Sequence, residues 1–325
     1  MPCPTARPAP TPLWGMPCHG IGHVVRLLCA LLAFLAAPGV PPAVQAGCGE
    51  WEELVGRLAA DGYPRALVEP FFTRSDMAYQ PDAMLQKMAT LFQRKFAPKP
   101  KQTAKKTSPA PAIYPSAMEP KRIADARAFC NRHAATLTRV RREFGVPHEI
   151  AVAILSVETQ VGRYLGEEPA FVTLASMAHT DRVERLPRLP HLGADTPPTA
   201  AQRTWLARRI KEKSDWAYGE LKALIDHAAA NGHHPLDLPG SVYGAIGMCQ
   251  FMPSNALRFG MDGDGDGRIN LFTPPDALYS LANFLKANGW KKGLSLHLQR
   301  KVLYRYNHSR MYTNTVLAVA KRLLP

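Results

Sequence analysis

A mainly α fold is predicted by three observations. Apolar residues recur at three- and four-residue spacing in stretch after stretch, few runs alternate with a period of two, and Gly or Pro falls between the stripes where helices would start or stop. With 46% hydrophobic residues in 325 the chain can bury one large core or two modest ones, which excludes disorder of the whole. Residues 1–46 are not expected to belong to the fold. They hold no acidic residue, carry Arg7 and Arg26, run through the apolar stretch 27–37 and end in Val44-Gln-Ala46 before Gly47, the layout of a secretory signal with an A-x-A-like cleavage site. The apolar run is short for a bilayer span, and the poor leading region before Met16 makes that residue an alternative start.

The helical elements follow in order. Trp51, Leu54 and Leu58, then Met84, Met88, Leu91 and Phe92, mark a helical segment over 47–96. Residues 97–120, crowded with Pro and Lys, are expected to form an extended, solvated linker. Residues 121–325 are expected to form the main domain. Phe129, Leu137, Val140 and Phe144 predict one long amphipathic helix over 122–144, closed by Gly145, after which Pro147 opens another. A proline-rich loop over 187–198 precedes a helix over 205–230 that stops at Asn231-Gly232, and two more helices are expected over 277–287 and 314–324.

The helix after Pro147 carries the most telling residue. Ile150, Ile154, Val157 and Val161 share a stripe with Glu158, so this carboxylate is expected on a buried face. Desolvation disfavours the ionised form and raises the pKa, which suits a general acid near neutral pH. The plainer alternative is a structural Glu paired with Arg163.

A second constellation is Asp262-Gly-Asp-Gly-Asp-Gly-Arg, with carboxylates at alternate positions and a Gly for the sharp turn, the pattern of a calcium-binding loop. Asp262, Asp264, Asp266 and the carbonyl of Arg268 are the candidate ligands, and Thr273 stands where a bidentate Glu is usual. Asp276 would close a longer loop, 262–276, in its place. The glycine-rich stretch 240–253 suits backbone lining a groove, and Tyr306, Asn307 and Tyr312 offer two phenols and an amide for a polar ligand.

Removing residues 1–46 leaves 38 basic against 26 acidic side chains, a charge of +12 that favours a polyanionic partner. Export makes an acidic wall polymer or anionic lipid a better candidate than nucleic acid, and no nucleic-acid partner is expected. Cys48, Cys130 and Cys249 would remain, an odd number with no framework spacing, and the lack of any Cys-x-x-Cys pair argues against zinc. Gln45-Ala-Gly-Cys48 partly resembles a lipobox, so lipidation of Cys48 at the outer membrane is the alternative to a soluble exported form.

These pieces occur in one order: Val-Glu-Thr-x-x-Gly around Glu158, Gly-Ser-x-x-Gly-Ala-Ile-Gly-x-x-Gln-Phe-Met-Pro from Gly240, the Asp loop, then Tyr-Asn-x-Ser-x-x-Tyr from Tyr306. The series resembles the lytic murein transglycosylases of the membrane-bound B type, glycoside hydrolase family 103. The resemblance implies a lysozyme-like helical catalytic core with additional helical segments, located in the periplasm and acting on peptidoglycan glycan strands. It implies cleavage of the MurNAc-GlcNAc bond with formation of 1,6-anhydro ends, Glu158 serving as general acid and then base. It also implies that Ser241, Gln250, Tyr306, Asn307 and Tyr312 line the sugar groove, that Asp276 is the late calcium ligand, and that calcium is structural, with no organic cofactor. Cys249 and Met248 depart from the family pattern beside Gln250. A muramidase on the same core, a wall-binding scaffold without turnover, and a calcium sensor are the competing readings.

Overall fold

The computed structural model describes residues 49–97, 112–189 and 197–324. The expected signal 1–46, Cys48 and most of the Pro/Lys-rich stretch lie outside these residues. The chain divides after Met77 into two compact units, so the expected helical segment 47–96 is split between them.

In the first unit, α1 (Glu52–Ala60) and α2 (Arg65–Phe72) pack through Leu54, Val55, Leu58, Val68 and Phe72, all buried. Trp51 anchors this small core. Its indole N–H donates to the Met77 carbonyl at 3.2 Å, and its ring lies 5.7 Å from that of Phe72.

The second unit begins with α3 (Asp82–Phe96), whose Met84, Met88 and Phe92 are buried. The stripe predicted as one helix over 122–144 forms two, α4 (Pro120–Arg132) and α5 (Ala134–Phe144), with His133 between them at ψ 23°. The bend lets the halves follow different neighbours: α4 packs on α6 (His148–Thr159) and α12 (Arg310–Leu323), and α5 packs on α10 (Pro274–Ala287). Part of the expected linker also belongs to the fold. A 3-10 turn over Pro115–Met118 buries Ala117, and the Tyr114 amide donates to the Thr315 hydroxyl at 2.9 Å.

At the centre, α6 is buried on every side, from Ile150 through Ser156 and at Thr159, and α4, α5, α10 and α12 surround it. Apolar side chains around the whole circumference and the small Ala151 and Ala153 let several helices approach at once. Burying Ile154 and Leu155, both inaccessible to solvent, stabilises the fold by about 1.5–3 kcal/mol each. Beyond it, β1 (Glu168–Pro169) leads into α7 (Ala170–His179), which lies against the long α8 (Ala200–Asn231). Thr199 and Gln202 close a capping box at the start of α8. A short β2 (Pro239–Gly240) pairs antiparallel with β1, placing Glu168 opposite Gly240. This pairing needs Gly166, because a Cβ there would lie 2.0 Å from the Gly240 carbonyl oxygen. The helices α9 (Pro253–Phe259) and α11 (Leu296–Tyr306) complete the unit. The architecture is thus mainly α with a buried central helix, as the sequence predicts, and its strands are confined to one two-residue pair among the described residues. No helix of the described residues is long and apolar enough to cross a membrane.

Candidate active site

Glu158 occupies the last turn of α6, and the chain beyond it is strained. Gln160 and Val161 both adopt left-handed backbone, at φ 52° and 56°, and the Val161 amide reaches back to the Leu155 carbonyl at 3.0 Å. A left-handed conformation costs an ordinary residue about 1–2 kcal/mol, and a β-branched one adopts it least readily. Val161 therefore leaves the helical stripe that the sequence assigns it. The buried Thr159 holds this end in place: its hydroxyl donates to the Met248 carbonyl at 2.9 Å and accepts from the Gly162 amide at 3.1 Å. Gln250, at φ 48°, is the other non-glycine residue of the described chain with positive φ, and it lies in the loop that Thr159 grips. Strain of this kind clusters where surrounding structure over-determines a functional backbone.

Glu158 is partly buried in a pocket of about 310 Å³ lined by Tyr114, Ser116, Ala117, Arg122, Val157, Asn307 and Tyr312. Burial pushes its carboxyl up to about 7 from 4.5, with the Tyr312 hydroxyl pulling modestly the other way. The Tyr312 hydroxyl is itself buried and makes no hydrogen bond of normal geometry, so it remains a donor beside the carboxyl. The expected alternative pairing with Arg163 does not occur; Arg163 binds Asp125 at 2.5 Å instead. Glu158 is thus a desolvated acid that forms no salt bridge among the described residues.

The other predicted groove residues distribute unevenly. Asn307 and Tyr312 share the Glu158 pocket. Tyr306 stacks on Tyr312 at 6.2 Å between ring centres and donates its hydroxyl to the Cys249 carbonyl. Ser241 and Gln250 do not line this pocket. The Ser241 hydroxyl accepts from the Ala245 amide at 3.1 Å and shapes the glycine-rich turn, while the Gln250 amide donates to the Gly247 carbonyl at 3.1 Å. Gly247 is required at φ 71°, since a Cβ would meet Leu271 at 2.5 Å. Among the described residues Cys130 and Cys249 form no disulfide. Tyr114 and Arg122 were not singled out by sequence, since they fall in or beside the stretch read as linker. A usable signal existed for Arg122: a cation in the first turn of a helix opposes the helix dipole and needs another reason to be there.

In the acidic loop, carboxylate oxygens of Asp262, Asp264 and Asp276 lie within 4.8 Å of one another. Asp276 is buried and accepts from the Gly263 and Asn270 amides at 2.8 and 2.6 Å, which folds the loop onto the start of α10. Asp266 stands outside this group, its carboxylate accepting from the Arg268 amide at 2.8 Å. Three carboxylates so close repel one another without a cation, and an all-oxygen set suits a hard ion such as calcium.

Residues 49–302 match the family described as Transglycosylase SLT domain. Over 174 residues, 54% of this chain, the sequence is 33% identical to membrane-bound lytic murein transglycosylase B of Escherichia coli K12, and the match spans 40% of that protein's length. The crystal structure of soluble lytic transglycosylase SltB1 from Pseudomonas aeruginosa superposes with a TM-score of 0.62 at 22% identity, covering 83% of this chain and 97% of that one. The Escherichia coli lytic transglycosylase Slt35, in its complex with calcium, gives 0.59 at 21% identity, covering 84% and 92%. At these identities the structural likeness establishes a shared lysozyme-like helical fold.

Proposed function

The chain belongs to the transglycosylase SLT domain family, and from that premise we propose that it is a peptidoglycan lytic transglycosylase in which Glu158 is the single catalytic acid and base. The observation that carries the proposal is a carboxyl pushed up to about 7 by burial, in no salt bridge among the described residues, at a polar pocket.

At neutral pH a large fraction of Glu158 is protonated. Its proton goes to the glycosidic oxygen as the bond from the muramyl C1 breaks, which releases the GlcNAc hydroxyl and leaves Glu158 as carboxylate. That carboxylate then takes the proton of the muramyl C6 hydroxyl, whose oxygen attacks C1 and closes the 1,6-anhydro ring. Glu158 ends protonated, and no water is consumed. A retaining hydrolase would place a second carboxylate about 5 Å away as nucleophile. Glu158 is the only carboxyl among the described residues lining this pocket, and Glu168 lines a separate cleft. This argues against a retaining hydrolase, and the family match favours the intramolecular route over a muramidase. Asn307 and the Tyr312 hydroxyl would bind acetamide and hydroxyl groups, with Tyr306 buttressing Tyr312. Ser241 and Gln250 would shape the neighbouring wall of the groove.

We assign a structural calcium ion to Asp262, Asp264 and Asp276, with Asp266 and the Arg268 carbonyl as further expected ligands. When bound, the ion would neutralise the loop carboxylates and brace the loop. The relative named as membrane-bound and the signal-like layout of residues 1–46 support a periplasmic enzyme, soluble or anchored through Cys48.

The test is solubilisation of purified sacculi by the protein and by its Glu158→Gln variant. Loss of release by the variant with retained sacculus binding is expected. Equal release by both would remove Glu158 from the reaction, and binding without release by either would make the protein a wall-binding scaffold.

A further inference from the structure

Arg122 lines the Glu158 pocket with no role in the mechanism above. It stands in the first turn of α4, where its charge opposes the helix dipole. Its Nη2 donates to the Ser156 carbonyl, in the last turns of α6 where a cation is favoured, and among the described residues this is its one hydrogen bond. Among the described residues the Nε is buried without a partner, and the guanidinium forms no ion pair. The nearest acid in its own helix, Asp125, is committed to Lys121 and Arg163 at 3.1 and 2.5 Å. Glu158 cannot serve as a standing counter-ion either, because burial keeps much of it protonated near neutrality. A partly buried cation with donors to spare is costly to keep and is usually paired. An oxygen acceptor brought by a ligand would supply that partner.

We propose that Arg122 is a further substrate-contacting residue, taking a carboxyl-derived oxygen of the lactyl side group on the muramyl sugar bound over Glu158. This rests on the peptidoglycan reading above. The hydroxyls and acetamides of both sugars are neutral and are matched by Asn307 and Tyr312. The lactyl group is where the strand carries a carboxyl-derived oxygen next to the sugar ring, anionic when the peptide has been removed and an amide carbonyl when it is present. A guanidinium binds either, and binds the anion more strongly. The pocket thereby prefers the muramyl side of the scissile bond, and prefers stripped strands over peptide-bearing ones.

The test is steady-state kinetics of the protein, Arg122→Gln and Arg122→Lys on two substrates: glycan strands stripped of peptide by an amidase, and the same strands with peptide intact. Melting curves accompany each variant. Arg122→Gln should raise KM on stripped strands roughly tenfold or more and on peptide-bearing strands by less, with Arg122→Lys recovering most of the loss on stripped strands. The melting temperature of each variant should stay within about 3 °C of the parent. An unmoved KM on both strands overturns the proposal. So does a loss confined to kcat with a falling melting temperature, which would make Arg122 only a clamp on the end of α6. If the parent protein binds strands without cleaving them, the transglycosylase reading fails, and the same comparison of variants is read as Kd with the same outcomes for Arg122. A parent that neither binds nor cleaves overturns both.

Discussion

Replacing Glu158 with Gln should stabilise the fold, and by an amount that depends on pH. In the native protein the carboxyl titrates near 7, against 4.5 in an unfolded chain. The native state therefore disfavours the charged form. Below pH 4.5 both states hold the proton and Glu158 carries no penalty. As pH rises from 4.5 to 7 the unfolded chain ionises while the native protein resists, so stability is lost through that window and levels off above it. At about 1.4 kcal/mol for each pH unit, the loss reaches about 3 kcal/mol. Gln is neutral throughout and keeps the same size. The stability of Glu158→Gln minus that of the parent should therefore grow by about 3 kcal/mol between pH 4 and pH 8. Urea unfolding followed by far-ultraviolet circular dichroism, at fixed calcium, measures the difference directly. A difference that stays flat to within about 1 kcal/mol across this range would refute the desolvation argument.

Three further outcomes follow from the same structure. A general acid that must be protonated gives a kcat/KM that declines above about pH 7, approaching tenfold per unit, whereas a profile flat to pH 9 would point to another proton donor. Asp264→Asn should abolish most of the calcium-induced rise in melting temperature and Asp266→Asn should do less, because Asp264 belongs to the close carboxylate group and Asp266 does not; an undiminished calcium response in Asp264→Asn contradicts the assigned site. Thr159→Val keeps the side chain's volume but leaves the Met248 carbonyl and the Gly162 amide without this partner, so it should cost about 1–3 kcal/mol in denaturant and lower activity, and a variant as stable as the parent would show that the contact is dispensable.

The parts of this protein that were legible in its sequence are those specified locally. The acidic loop draws its residues from within fifteen positions of one another, so spacing groups Asp262, Asp264 and Asp266 and offers Asp276 as the closing carboxylate, whereas the structure brings Asp276 close and leaves Asp266 outside. Glu158 was legible because an acid within an apolar stripe is conspicuous. The end of its helix was not, since Gln160 and Val161 take left-handed backbone without the Gly or Pro that would announce it. They are held there by contacts with a loop almost ninety residues later, such as that of Thr159 with Met248. The bend at His133 and the docking of 112–119 have the same origin. Tyr114 is fixed by Thr315 and Arg122 by Ser156, and composition cannot report partners so distant in sequence. Helix α7 went unread for the opposite reason: all ten of its residues are buried, so it has no polar face to set a period.

In the proposed reaction Glu158 gives its proton to the leaving oxygen and then takes one from the muramyl C6 hydroxyl, so that water never enters the product. Mass spectrometry of the fragments released from sacculi in oxygen-18 water tests this most directly. Anhydro-muropeptides one water lighter than the reducing-end products, without the heavy label and absent for Glu158→Gln, are the predicted result. Labelled reducing ends would contradict it and make the protein a hydrolase.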